Sequence, residues 1–290
     1  MKRFQSVICS MLMLSILSGV CALAGCEAET SQTTEIPVQE ETVPPKSYFV
    51  RSINHRGCAD APENTLSAYR KSYQNGFTMV ECDVAFTKDG YAVLLHDDSI
   101  DRTSNGTGNI KDLTLEEVRA LDFGSWKSEE YAGERIPTLE EFLLLCRNLS
   151  LHPYIELKTG MTTDQAKKIA DTVIRYGMKG NVTYLAFDEA LLSVISERDP
   201  QARLGYVVQY VSVQKAMTAI GLRNGLNDVF IDSNYFTVKD DIVALCYNLS
   251  LPLEVWTVDT AEAILELDPY ITGVTSNTLI AGQILEESMR

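Results

Sequence analysis

From Ser52 onward, short apolar runs alternate with stretches in which apolar residues recur three and four positions apart. The short runs are Ser52–Arg56, Met79–Phe86, Ala92–His96, Tyr154–Lys158, Val182–Phe187, Arg203–Val208, Asp228–Asp232, Leu253–Val258 and Ile271–Thr275. Each has strand length. Between them, Thr163–Tyr176 places Ala166, Ile169, Ala170, Val173 and Ile174 on one face, and Asp188–Glu197 gathers Leu191, Leu192 and Ile195. Val238–Leu249 and Thr260–Leu267 behave alike. Such spacing predicts helices with one buried stripe. Strands alternating with helices predict a parallel α/β sheet, and eight such units close a TIM (β/α)8 barrel. Nine runs compete for eight places. Thr87-Lys88-Asp89-Gly90 separates two of them, and Asp-Gly between strand-like runs signals a hairpin. One of that pair is therefore expected to be antiparallel or to lie outside the barrel. The stretch from about 98 to 137 breaks the rhythm, with Asn105-Gly106-Thr107-Gly108 and a helix-like Leu115–Leu121. It is too long for a plain loop and predicts a small insertion after the third strand, over the barrel mouth.

The N-terminal region follows other rules. Lys2 and Arg3 precede an apolar run, Val7–Leu23, ending Leu23-Ala24-Gly25-Cys26. A positive start, a short apolar core and small residues before a cut site mark a secretory signal peptide over residues 1–25, not a membrane span. Cysteine after Leu-Ala-Gly resembles a bacterial lipobox, which implies cleavage before Cys26 and diacylglycerol on its sulfur. Two acyl chains suffice for stable anchoring. Residues 26–47 carry almost no apolar side chains and read as a flexible tether. The expected location is a bacterial cell membrane, lipid-anchored and facing outside the cytoplasm. Residues 48–290, about 243 in number, form one domain of barrel size.

Charge narrows the partners. Removing Lys2 and Arg3 from the 25 basic residues leaves 23 against 40 acidic ones, a net of −17. No basic stripe offers itself to nucleic acid, and an acidic body is not drawn to anionic lipid. Cys58, Cys82, Cys146 and Cys246 match no zinc spacing and lie in apolar stretches or beside motifs, so they read as unpaired buried thiols.

The chemistry concentrates at strand ends. His55 and His96 close the first and third runs, and C-terminal strand ends form the active face of an α/β barrel. Two histidines facing one pocket suit a general base and a general acid. His152, beside Pro153 at a strand entrance, reads as structural. Glu81 and Asp83 stand two apart in a strand and share a face, with Cys82 turned away. Glu156 and Lys158 repeat that spacing. Carboxylates directed into a barrel interior are costly unless paired or metal-bound. Three converging there call for a cation, and all-oxygen ligation suits calcium or magnesium. Lys158 then serves as a point charge for an anionic substrate.

The ordered set His55-Arg56-Gly57, Pro62-Glu63-Asn64-Thr65, Glu81-Cys82-Asp83, Thr87-Lys88-Asp89-Gly90 and His96-Asp97 resembles the glycerophosphodiester phosphodiesterase family. Arg102-Thr103-Ser104-Asn105-Gly106, Ile136-Pro137-Thr138-Leu139-Glu140-Glu141, Ile155-Glu156-Leu157-Lys158 and Val255-Trp256-Thr257-Val258 extend the resemblance over nearly the whole domain. It implies a TIM barrel and metal-dependent hydrolysis of glycerophosphodiesters to an alcohol and glycerol 3-phosphate. It implies His55 and His96 as the acid/base pair, and Glu81, Asp83 and Glu156 around one divalent cation, with Glu63 as ligand or second shell. Arg56 and Lys158 would contact phosphate, and Trp256 would line the pocket and stack against the alcohol portion. Ala186-Phe187 and Thr275-Ser276-Asn277 depart from the family pattern. They lie on later strands, away from the catalytic set, and bear on substrate fit.

Other readings stay open at this level. A glycosidase needs two opposed carboxylates, which neighbouring Glu81 and Asp83 do not supply, and has no use for two histidines plus Lys158. A phospholipase C- or D-like enzyme acting on lysolipids or lipids fits the anchor, and wall glycerol-phosphate polymer is a further substrate. A non-catalytic surface binding lipoprotein would not need every catalytic position filled. Which histidine is the base is not legible in the sequence.

Overall fold

A computed structural model describes residues 50–288 of the chain. The expected signal peptide, Cys26 and the expected tether lie outside the described residues. The nine expected strands are present: β1 (Arg51–Asn54), β2 (Met79–Phe86), β3 (Ala92–Leu94), β4 (His152–Leu157), β5 (Thr183–Ala186), β6 (Arg203–Val208), β7 (Val229–Asn234), β8 (Leu253–Trp256) and β9 (Ile271–Ser276). Their order is β1-β9-β8-β7-β6-β5-β4-β2-β3, and an added β1–β2 pairing closes eight parallel strands into a barrel. The surplus strand is β3. It pairs antiparallel with the upper part of β2, Val84 opposite Leu94. β2 and β4 thereby become hydrogen-bonded neighbours, with Asp83 opposite Glu156.

The helices α1 (Leu66–Gln74), α3 (Leu139–Leu149), α4 (Thr163–Arg175), α5 (Glu189–Arg198), α6 (Val213–Gly221), α7 (Asp240–Asn248), α8 (Ala261–Leu265) and α9 (Ala281–Ser288) surround the barrel, with a short α2 (Leu115–Arg119) in the insertion. Their starts are written in the sequence. Thr138 and Glu141, and likewise Thr162 and Gln165, close reciprocal capping boxes that satisfy orphan backbone N–H groups. The outward faces of the strands and the inner stripes of the helices merge into one core that includes Val80, Cys82, Ile155, Ile169 and Ile231. All four described cysteines are unpaired and buried.

The insertion carries a core of its own, in which Ile100, Ile110, Val118, Phe123 and Ile136 pack on Val93 and Leu95 of the β3 segment. Its contacts reach beyond the mouth. Glu134 binds Ser67 on α1, and Arg119 forms a bidentate pair with Glu141 on α3. The insertion is thus tied to α1 and α3 and packs its apolar face on β3, while Asp98 and residues 109–111 border a cleft with His96 and Lys158.

Inside the barrel, Ile53, Tyr154, Leu185, Val207 and Phe230 fill the middle. Gly205 makes room for them: a Cβ there would run into the Phe230 ring and Leu185. Below lies a buried ion cluster. Arg203 meets Glu254 at 2.9 Å and Asp228 at 2.8 Å, stacks 3.8 Å above Phe230, and receives help from Arg51, 3.6 Å from Glu254. His152 donates to or accepts from Thr183 at this lower end, in keeping with its structural reading. Charge at the N-terminal face of a barrel serves stability, and the C-terminal face carries chemistry.

Candidate active site

The turn after β1 sets the first group of side chains. Arg56 (φ 53°) and Gly57 (φ 80°) are consecutive left-handed residues. A Cβ at Gly57 would strike Ala68 at the start of α1. An arginine in this region costs of order 1 kcal/mol, which surrounding contacts must offset. Here they do: the Arg56 backbone N–H donates to Glu81 Oε2 at 2.8 Å, and its guanidinium lies 3.3 Å from Asp83 and 3.1 Å from Glu63. Asn64, also left-handed, donates to Asp83 Oδ2 at 2.8 Å while its Oδ1 accepts from the Asp83 backbone and from Tyr69.

Period-two alternation and the β2–β4 register together create the acidic cluster. Glu81, Asp83 and Glu156 present carboxylate oxygens within 4.8 Å of one another. Burial, then Asp83 and Glu156, push Glu81 well above the usual carboxylate range. Burial and Asp83 also raise Glu156. Burial works against Asp83 too, but Lys158 and Arg56 hold it below its ordinary value. Lys158 Nζ sits 3.1 Å from both Asp83 and Glu156. Glu81 Oε1 is buried and has no hydrogen-bond partner among the described residues. An orphaned carboxylate oxygen beside two further carboxylates is what a hard divalent cation with oxygen ligands would complete, so the donor set fits one. Glu63 does not join this cluster. Arg102 grips it through two bonds of 2.7 and 2.8 Å, and Arg56 approaches it at 3.1 Å.

The two histidines stand in the same cleft, a space of about 410 Å³ also lined by Arg56, Glu81, Glu156, Lys158, Phe187 and Trp256. Their partners differ. His55 Nδ1 lies 2.9 Å from Asn277 Oδ1, and Asn277 Nδ2 donates to Asp259 Oδ2 at 2.7 Å. A carboxylate only accepts, so Asp259 turns the Asn277 amide and leaves Oδ1 facing the ring. His55 Nδ1 must then carry the proton. Burial first, then Arg56, lower the His55 pKa, so at neutral pH its Nε2 is a bare lone pair. His96 Nδ1 lies 2.6 Å from Asp97, whose other oxygen accepts from Arg102 Nε at 2.7 Å. Hydrogen bonds from Arg102 and then His96 bring Asp97 down to about 2. An imidazolium at His96 thus has a fixed carboxylate beside it.

Asn277 corrects one expectation. The Thr275-Ser276-Asn277 segment is not remote from the catalytic set, because β9 is the hydrogen-bonded neighbour of β1 and ends against His55. Asp97, Arg102, Asn64 and Asp259 are further residues of the site whose roles were not legible in the sequence. Asn64, Asp97 and Arg102 lie inside the motifs that carry the family resemblance; only tertiary contacts reveal what they hold. Trp256 lies across the cleft with Phe187, their rings edge to face at 6.2 Å.

A TIM-barrel mouth holding an acidic cluster, two half-buried cationic side chains and two separately braced histidines is that of a hydrolase acting on a phosphate ester. Known proteins agree. The model of the glycerophosphoryl diester phosphodiesterase family matches residues 55–278. The glycerophosphodiester phosphodiesterase of Caldanaerobacter subterraneus subsp. tengcongensis is 33% identical over 213 residues, 72% of this chain and 86% of that one. The fold is shared with a glycerophosphodiester phosphodiesterase from Agrobacterium tumefaciens (TM-score 0.66, 24% identity, 82% of this chain and all of that chain). It is shared too with a phosphodiesterase from Oleispira antarctica solved with the product sn-glycerol-3-phosphate (TM-score 0.71, 24% identity, 84% of this chain and 98% of that chain). The chain belongs to the glycerophosphoryl diester phosphodiesterase family and is a phosphoric diester hydrolase.

Proposed function

We propose that this chain cleaves glycerophosphodiesters to an alcohol and glycerol 3-phosphate by histidine acid/base catalysis supported by one divalent cation. The observation that carries the reading is the meeting of His55 and His96, with opposite bracing, in the cleft that also holds Glu81, Glu156, Arg56 and Lys158. Glu81, Asp83 and Glu156 would hold the cation, and all-oxygen donors suit calcium or magnesium. When bound, it would stabilise charge on the phosphoryl oxygens and orient them.

The chain's own groups divide the work. Arg56 and Lys158 neutralise the negative charge that grows on the non-bridging oxygens. His55 Nε2 takes the proton of the attacking hydroxyl, from water or from the substrate's glycerol. Its Nδ1–H stays on Asn277, which fixes the ring. As the new P–O bond forms and the P–O bond to the alcohol breaks, His96 Nε2 gives a proton to the departing oxygen. Asp97 stabilises the imidazolium that makes this donation possible. A neutral base opposite a charge-braced acid is the separation of roles that paired titratable groups use. If the glycerol hydroxyl attacks, a cyclic phosphate forms, and a second pass with water opens it.

We place this activity at a bacterial membrane, outside the cytoplasm. Lys2, Arg3, the Val7–Leu23 apolar run and Leu23-Ala24-Gly25-Cys26 support secretion and lipidation of Cys26. The substrates expected there are soluble glycerophosphodiesters or lipid- and polymer-derived diesters. The test is release of glycerol 3-phosphate from glycerophosphocholine by the purified chain, before and after EDTA, and then with calcium or magnesium restored. Abolition by EDTA and rescue by one cation support the reading. Release that ignores EDTA contradicts it.

A further inference from the structure

The cleft has a second half that the acid/base chemistry does not use. Opposite the acidic cluster stand Leu185, Phe187, Val207, Gln209, Trp256 and Asp232. Asp232 is unexpected in such company. On β7, Phe230 points to the barrel interior and Ile231 to the outer core, so alternation sends Asp232 inward. Its residue is 4% exposed, and Oδ1 has no hydrogen-bond partner among the described residues. Arg203 acts on it only at a distance and forms no ion pair with it, its guanidinium being engaged by Glu254 and Asp228 lower in the barrel. Trp256 donates its Nε1–H to the Asp232 backbone carbonyl at 3.3 Å, and both side chains line the same cleft. Phe187 meets that indole edge to face.

A buried carboxyl without a donor costs several kcal/mol unless something arrives to pair with it. Burial, then Glu254 and Glu156, hold this one well above the usual carboxylate range, and Arg203 offsets them only in part; ionisation is disfavoured in the free site and is restored when a cation arrives beside the carboxyl. Aromatic faces next to it are attractive to the same kind of group, a cation with apolar substituents. We propose that Asp232, Trp256 and Phe187 form a subsite for an alcohol carrying a positively charged nitrogen, so that the enzyme selects glycerophosphodiesters of cationic alcohols over those of neutral ones. This rests on the phosphodiesterase reading above. Asp232 acts on specificity and makes no contribution to proton transfer.

The test compares kcat/KM for glycerophosphocholine and for glycerophosphoglycerol, which has a neutral polyol, using the cation-loaded full chain and its Asp232→Asn variant. Asparagine keeps the shape and the ability to bond hydroxyls but removes the charge. The wild type should favour the cationic substrate tenfold or more. Asp232→Asn should lose at least tenfold on glycerophosphocholine, mainly through KM, and change less than threefold on glycerophosphoglycerol. Calorimetry with choline alone supplies a readout independent of turnover: the wild type binds it and the variant does not. Equal losses on both substrates, a selective loss on the neutral one, or choline binding that survives Asp232→Asn would overturn the subsite. Choline binding that depends on Asp232 in an enzyme inactive on both substrates would keep the subsite and sink the hydrolase reading, so the two failures are distinct.

Discussion

Replacing Asp97 by asparagine isolates what braces His96. Arg102 is fixed by two bonds to Glu63 and one to Asp97, and it has only donors. In the variant the amide oxygen must therefore stay on Arg102, and the NH2 turns toward His96 Nδ1. A donor facing Nδ1 demands a bare nitrogen there, moves the ring proton to Nε2 and disfavours the imidazolium. General acid catalysis contributes about 10²- to 10⁴-fold. Asp97→Asn should lower kcat on glycerophosphocholine by about 10²-fold, about 2.7 kcal/mol at 1.36 kcal/mol per decade. Stability should hardly move. His96 and Asp97 side chains are 34% and 32% exposed, and ion pairs so exposed contribute under about 1 kcal/mol. The assay pairs this substrate with a p-nitrophenyl phosphodiester, whose leaving group departs without a proton. The loss should shrink to less than about tenfold there. An equal loss on both substrates, or none on either, would refute His96 as the acid braced by Asp97.

Other consequences follow from single contacts. Because burial and Arg56 lower the His55 pKa and the neutral ring is the active form, kcat/KM is retained as pH falls until the lowered value is crossed. Its acid limb should have a midpoint below the ordinary histidine value of about 6.5, and a midpoint above it would contradict the base assignment. Glu156→Gln should raise the cation concentration needed for half-maximal activity by roughly tenfold or more; an unchanged titration removes Glu156 from the ligand set. Arg203→Ala leaves Glu254 with only the longer contact to Arg51. It should cost about 3 kcal/mol, seen as a Tm lowered by roughly 6–12 °C, with kcat little changed at temperatures where the variant stays folded.

The barrel was legible in the sequence because its signals are local. Period-two spacing alone placed Glu81 with Asp83 and Glu156 with Lys158, and Asp89-Gly90 marked one of its two flanking runs as surplus without saying which; the structure shows it is β3. What joined those pairs was not local: Asp83 faces Glu156 only because β3 leaves the barrel and brings β4 beside β2. The same holds for His55 and Asn277, 222 positions apart in the chain, which no spacing rule connects. Asp232 sits in a run whose neighbours look like core strand, and its lack of a partner exists only in three dimensions. Arg203 and Glu254 gave no signal either, since a strand-borne charge reads as surface until the register buries it. The insertion was legible as a break in the rhythm after the third strand, but the packing of its apolar residues on β3 was not, because that contact is tertiary.

The central claim is that His55 and His96 move the protons of a phosphodiester cleavage. It is tested most directly by turnover of glycerophosphocholine in His55→Ala and His96→Ala, each saturated with the activating cation and checked by circular dichroism. Both variants should remain folded and lose roughly 10²- to 10⁴-fold in kcat. Either one retaining most of the wild-type rate would contradict the account.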